Sequence, residues 1–77
     1  MFTLLETVAL THDIPESGLR RGDLGAIVEL HDAEAFEVEF VAASGRTQAL
    51  LSLSIADVRR VGDQDLIAVR SLASADG

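Results

Sequence analysis

The sequence predicts an all-β fold of short antiparallel strands, and three observations predict it. Apolar and polar residues alternate with a period of two through the middle of the chain. Glycine turns punctuate the apolar runs. Five such runs follow one another, with a long loop after the first. The clearest stretch is Gly18 to Phe40, which reads as glycine turn, strand, tight turn, strand. Leu24, Ala26, Val28 and Leu30 alternate with Gly25, Ile27, Glu29 and His31, and Phe36, Val38 and Phe40 alternate with Glu37 and Glu39. This is the period of half-buried antiparallel strands, and such a hairpin can seed a small barrel.

Taken in order, Thr7-Val-Ala-Leu-Thr is the first strand, and Asp13-Ile-Pro-Glu-Ser-Gly is a loop set by Pro15 and Gly18. The hairpin supplies strands two and three. Ala43-Ser-Gly-Arg turns around Gly45, and Thr47-Gln-Ala-Leu-Leu-Ser-Leu is a fourth strand with Ala49, Leu51 and Leu53 inward. Ser54-Ile-Ala-Asp makes one helical turn, capped by Ser54 with Asp57 at the dipole-favoured position. Val58-Arg-Arg-Val is the fifth strand. Five to six short strands, a long first loop and a helical turn before the last core strand are the layout of an SH3-like barrel. The expected domain is residues 1–61; residues 62–77 form a C-terminal extension with an extra strand over 65–72 and a frayed end over 73–77.

Length and charge narrow the class of function. A chain of 77 residues is one domain that buries about 60% of its unfolded surface, too little to enclose a large reaction chamber. There is no cysteine, which removes disulfides and thiolate metal sites and makes the cytoplasm the expected compartment. Met1-Phe-Thr-Leu-Leu-Glu carries no basic leader, and no apolar run approaches a membrane span. Thirteen acids face six bases, all arginine, for a formal charge of −7. That balance argues against nucleic acid, whose binders neutralise phosphates with a basic face, and favours a basic protein partner.

Val8-Ala-Leu-Thr, Asp13-Ile-Pro-Glu-Ser-Gly-Leu, Arg21-Gly-Asp-Leu-Gly-Ala-Ile-Val-Glu, Phe36-Glu-Val-Glu-Phe-Val and Gly45-Arg-Thr closely resemble domain-of-unknown-function family 4926, small bacterial proteins of unassigned activity. The resemblance runs from about Leu4 to Val61. It implies a compact SH3-like barrel and carries over no catalytic residue. The proline that the family usually has near Arg60 is absent. Gly22-Asp-Leu-Gly-Ala-Ile-Val is also similar to the glycine-centred KOW motif of ribosomal and transcription-factor barrels.

No residues with the spacing of a reaction centre stand out. His12 and His31 are the only histidines, and a metal site on them would need Asp13 or Asp32 to converge on both; solvated loop histidines are the expectation. No serine lies in a nucleophile motif, and the chain has no lysine for a phosphate loop. Gly22 and Gly25 are therefore read structurally, as a positive-φ turn or a close approach of strands. Proline-rich peptides dock on tyrosine and tryptophan, and the chain has neither. Its aromatics are Phe2, Phe36 and Phe40, the last two expected in the core. No enzymatic activity and no cofactor are expected.

One surface remains. If the second and third strands pair through a short, odd-numbered turn around Asp32-Ala33-Glu34, Glu29 lies beside Glu37 and close to Glu39. Opposed like charges cost roughly 0.2 to 1 kcal/mol, so the cluster is either a solvated face that discourages edge pairing or a docking ridge for basic side chains. Ile27, Val41 and Leu50 point outward between those acids on this register. The candidate partner-binding set is thus Glu29, Glu37, Glu39, Ile27, Val41 and Leu50. The arginine pairs Arg20-Arg21 and Arg59-Arg60, with Arg46, are expected to form local ion pairs rather than a basic stripe. The expectation is a non-enzymatic interaction module for a basic protein, of antitoxin or immunity type. Its alternatives are a KOW-like RNA- or ribosome-associated barrel and a self-assembling subunit that buries the apolar tail.

Overall fold

The computed structural model describes residues 1–72 and is all-β. Five antiparallel strands, β1 (Thr7–Leu10), β2 (Leu24–Asp32), β3 (Ala35–Val41), β4 (Thr47–Ser54) and β5 (Val58–Arg60), form one sheet in the order β4-β3-β2-β1-β5. The first strand pairs with the last at β1–β5, and three consecutive strands make the β2–β3–β4 meander. This path is compatible with an SH3-like barrel. The β1–β2 loop contains a 3-10 turn, Pro15–Ser17, closed by Gly18 at φ 71°. Before β5 the chain makes the expected turn: the Asp57 amide donates to the Ser54 carbonyl, and the Asp57 carboxylate accepts from the Ser54 amide. No helix among the described residues is long and apolar enough to cross a membrane.

The register of β2 differs from simple alternation. Ile27 pairs with Val38 but Glu29 pairs with Glu37, so Val28 is an extra residue opposite nothing. A bulge of this kind reverses which face the following side chains take. Before it, Gly25 and Ile27 point inward; after it, Leu30 lies opposite Phe36. Ile27, expected on the outer face, is therefore completely buried. A second bulge at His31 follows, between the Leu30↔Phe36 and Asp32↔Ala35 pairs. It explains how a two-residue turn, Ala33-Glu34, yields the Glu29–Glu37 pairing that otherwise requires an odd-numbered loop. The inward Gly25 is also accounted for: a Cβ there would lie 2.6 Å from Val38 Cγ1 and 2.8 Å from Phe40 Cε2. Gly22 instead serves a turn, at φ 92°.

Val8, Leu10, Ile14, Leu19, Ile27, Phe36, Val38, Phe40 and Val58 form the buried cluster, with Ala49, Leu51 and Leu53 of β4 packed against it. The inward faces expected for β3 and β4 are those observed. Phe2 completes the core at one end, meeting Phe36 edge-on with centroids 5.4 Å apart, a favoured aromatic geometry. Arg60 fastens it there. Its guanidinium lies 4.5 Å from the Phe2 ring centre, and its Nε donates to Glu6 at 2.7 Å. Glu6 also accepts from the Thr3 amide, and the Arg60 and Thr3 bonds hold its carboxyl below the ordinary glutamate range.

The extra strand expected over 65–72 does not form. The apolar run Leu66-Ile-Ala-Val instead runs as an irregular strap. One end is tied by Asp65, which accepts from Arg59 at 2.8 Å and from the Gly62 amide at 2.6 Å. The other is tied by Arg70, which donates to Asp23 and to the Gly18 carbonyl. The end expected to fray, residues 73–77, lies outside the described residues.

Candidate functional site

The outer face of β2–β4 carries the carboxylates that the sequence singled out. Glu29 and Glu37 are direct cross-strand partners, and Glu39, two positions on, shares their face. Glu39 pairs with Ala26 on one side and Leu50 on the other. Leu50 and Val41 are 56% and 52% exposed, so five of the six candidate residues share or border this surface. Ile27 does not.

Neighbours hold the acids in place. Glu37 accepts from His31 Nε2 at 2.9 Å and from the Ser52 hydroxyl on the adjoining strand. These two bonds hold the Glu37 carboxyl below its usual range, and the bond to Glu37 raises the His31 imidazole above its own. Glu39 accepts from the Thr47 hydroxyl at 2.6 Å. The sequence showed the acids through their alternation but not His31 or Ser52 as their partners. His31 stands at a bulge, and Ser52 arrives from another strand, 15 positions away. Although serine, histidine and acid meet here, the acid sits in the middle. The hydroxyl donates to a carboxylate rather than to the imidazole, so the trio does not activate a nucleophile.

His12 is held differently. Nδ1 lies 2.9 Å from the Asp13 carbonyl and Nε2 2.8 Å from Asp57 Oδ1. Both partners are acceptors, so satisfying both bonds requires a proton on each nitrogen, which is the imidazolium. Asp57, and then Asp13, raise the His12 pKa above the ordinary value. Asp57 is lowered by the Ser54 amide and then by His12. Among the described residues, no three histidine, cysteine or acid side chains converge as a metal site.

These pairs set a pH dependence. Histidines whose folded pKa is raised contribute stability fully present below about pH 6.5 and lost as pH rises through the folded values. Their carboxylate partners, lowered on folding, contribute stability lost as pH falls below about 4.5. The melting temperature is therefore expected to peak between these limits and to decline from pH 6 to pH 8. The variant H12Q/H31Q should flatten the upper decline. A wild-type melting temperature rising steadily from pH 6 to 8 contradicts the assignment.

Arginines Arg59, Arg60 and Arg70 pair with Asp65, Glu6 and Asp23, and Arg46 reaches Gln48. The Arg70–Asp23 latch is the most shielded of these ion pairs. Burial pushes the Asp23 carboxyl up, but Arg70 and the Arg20 amide outweigh it and leave the pKa lowered. Alternation and spacing do not reveal this contact, because it joins residues 47 positions apart.

No curated protein and no solved structure matches the chain. A family model described as "Domain of unknown function (DUF4926)" matches residues 4–60, which span β1 to β5 and all of the acidic face. The chain belongs to that family.

Proposed function

We propose that this chain is a non-enzymatic, cytoplasmic interaction module that docks a basic protein on the outer face of β2–β4, as the small neutralising member of a pair. The observation that carries this reading is the Glu29↔Glu37 register with Glu39 alongside, bordered by exposed Val41 and Leu50. Opposed carboxylates do not stabilise the isolated sheet. Held by His31, Ser52 and Thr47, two of them are oriented before any partner arrives. An apolar patch beside charged groups suits protein recognition, and the charges would set encounter rate and register. The net charge of −7 favours a cationic partner, and three arginines already engaged in ion pairs weigh against the KOW-like RNA reading.

The test compares tagged wild type with E29Q/E37Q/E39Q in pull-downs from native cells, with and without nuclease. Wild type is expected to retain a basic protein that survives nuclease. The triple variant, with unchanged far-UV circular dichroism, should bind it at least about tenfold more weakly, roughly 1.4 kcal/mol. Equal retention removes the acidic ridge, and recovery of RNA that nuclease eliminates selects the RNA-associated alternative.

A further inference from the structure

The two edges of the sheet are unequally protected. β5 is three residues long and carries Arg59 and Arg60, and short, charged strands blunt an edge. β4, the other outermost strand, is eight residues long and contains neither charge nor proline. Its ends are engaged: Gln48 Nε2 donates to the Ser17 carbonyl at 3.2 Å, and the Ser54 amide donates to Asp57. Between them, among the described residues, no backbone hydrogen bond joins residues 49–53 to any segment but β3. The core also thins out here. Phe36, Val38 and Phe40 of β3 are buried, whereas their register partners Leu53, Leu51 and Ala49 are only partly so. An open, neutral edge with half-covered inward side chains is a template for one more strand.

The outer face decides what that strand must carry. Glu29, Glu37 and Ser52 form one row across the sheet, and Glu39 and Leu50 belong to the next. An added strand stands two strand spacings from Glu37 and Glu39, about 10 Å. Ser52 is short, so a lysine or arginine placed opposite it passes over the hydroxyl toward Glu37. Opposite Leu50, the same kind of side chain lays its aliphatic stem on the exposed leucine and brings its charge toward Glu39. The residues between these face Ala49, Leu51 and Leu53 and must be apolar. The segment required therefore alternates cationic and apolar side chains. A second copy of this chain cannot supply it, because no two of its arginines, Arg20, Arg21, Arg46, Arg59, Arg60 and Arg70, stand two positions apart, and it has no lysine.

Building on the acidic-face reading above, we infer that the basic partner docks as an extended segment of alternating cationic and apolar residues, added to the sheet along residues 49–53 of β4. Backbone hydrogen bonds to the edge supply affinity, and the two carboxylate rows select the sequence. The selecting charges are at the surface, so salt weakens the docking.

Titration of the full chain with the end-capped synthetic peptide Thr-Val-Arg-Val-Arg-Val-Thr, followed by NMR and amide hydrogen exchange, tests the inference. The expected result is saturable, salt-weakened binding that slows amide exchange within residues 49–53. The isomer Thr-Val-Val-Arg-Arg-Val-Thr, which breaks the alternation at equal charge, should bind at least about tenfold more weakly. S52R puts a cation into the Glu37 row itself, and both it and E29Q/E37Q/E39Q should weaken the alternating peptide by at least about tenfold with unchanged circular dichroism. No binding up to about 1 mM peptide, equal affinity for the two peptides, unchanged exchange at residues 49–53, or full binding by E29Q/E37Q/E39Q overturns the inference. The acidic-face reading fails separately. A basic protein captured from cells only when the three glutamates are present, yet leaving exchange at residues 49–53 unchanged, keeps the ridge and removes the added strand.

Discussion

Replacing Ile27 with aspartate is expected to unfold this domain, whereas the same change at Leu50 leaves it folded. Both positions read as outward on simple alternation, yet Ile27 is completely buried opposite Val38 and Leu50 is exposed opposite Glu39. I27D would place a carboxylate among Val8, Phe36 and Val38 with no cation to meet it. An unpaired buried charge costs several kcal/mol, in addition to the lost apolar burial. A domain of this size has roughly 4 to 12 kcal/mol in total. The chain has no tryptophan or tyrosine, so far-UV circular dichroism is the suitable probe. I27D should lack a cooperative melting transition, and L50D, measured dilute, should melt near wild type. A normal melt for I27D places the bulge at Val28 in error.

Phe36→Ala should be nearly as damaging. The ring is among the largest completely enclosed side chains and contacts Phe2, so its truncation leaves a cavity and removes an aromatic pair. Phenylalanine to alanine in a core costs about 3 to 5 kcal/mol, a large share of the stability available. Phe2→Ala should cost less, because Phe2 is only partly buried, although its ring is also what Arg60 rests upon. Urea titration of the three proteins gives the order wild type, F2A, F36A. F36A no less stable than F2A would contradict the central place of Phe36.

These substitutions mark where alternation was informative. In β3 and β4 the inward residues Phe36, Val38, Phe40, Ala49, Leu51 and Leu53 follow a period of two without interruption, and their faces were legible. In β2 the bulged residue is an ordinary valine, and nothing in its identity announces that it faces no partner. Gly25 did carry a signal, since glycine within a strand marks close approach, and that approach is to Val38 and Phe40. Leu66-Ile-Ala-Val has the composition of a strand, but strand formation needs a neighbour that composition does not reveal. The acidic cluster was legible because the bulge at His31 and an even turn together reproduce the Glu29–Glu37 pairing expected from an odd turn. Arg70–Asp23 and His12–Asp57 were not, being contacts that only the completed fold creates.

The β1–β5 ladder has a consequence for how the molecule forms. Val8 pairs with Arg60 and Leu10 with Val58, so this ladder joins segments separated by most of the chain. β2, β3 and β4 are neighbours in sequence and in space. Closing a long loop costs entropy before its contacts repay it, which favours the meander as folding nucleus and leaves the β1–β5 zipper until late. Substitutions at Val58 should therefore accelerate unfolding in stopped-flow circular dichroism while barely slowing folding, and those at Phe40 should slow folding. Equal slowing by both would reject this order. On a ribosome, the meander has all its partners once Ser54 has been added. Val8 and Leu10 can by then join β2 on one side, but their other side waits for Val58–Arg60, and during that interval β1 is an unpaired apolar edge of the nascent chain open to aggregation.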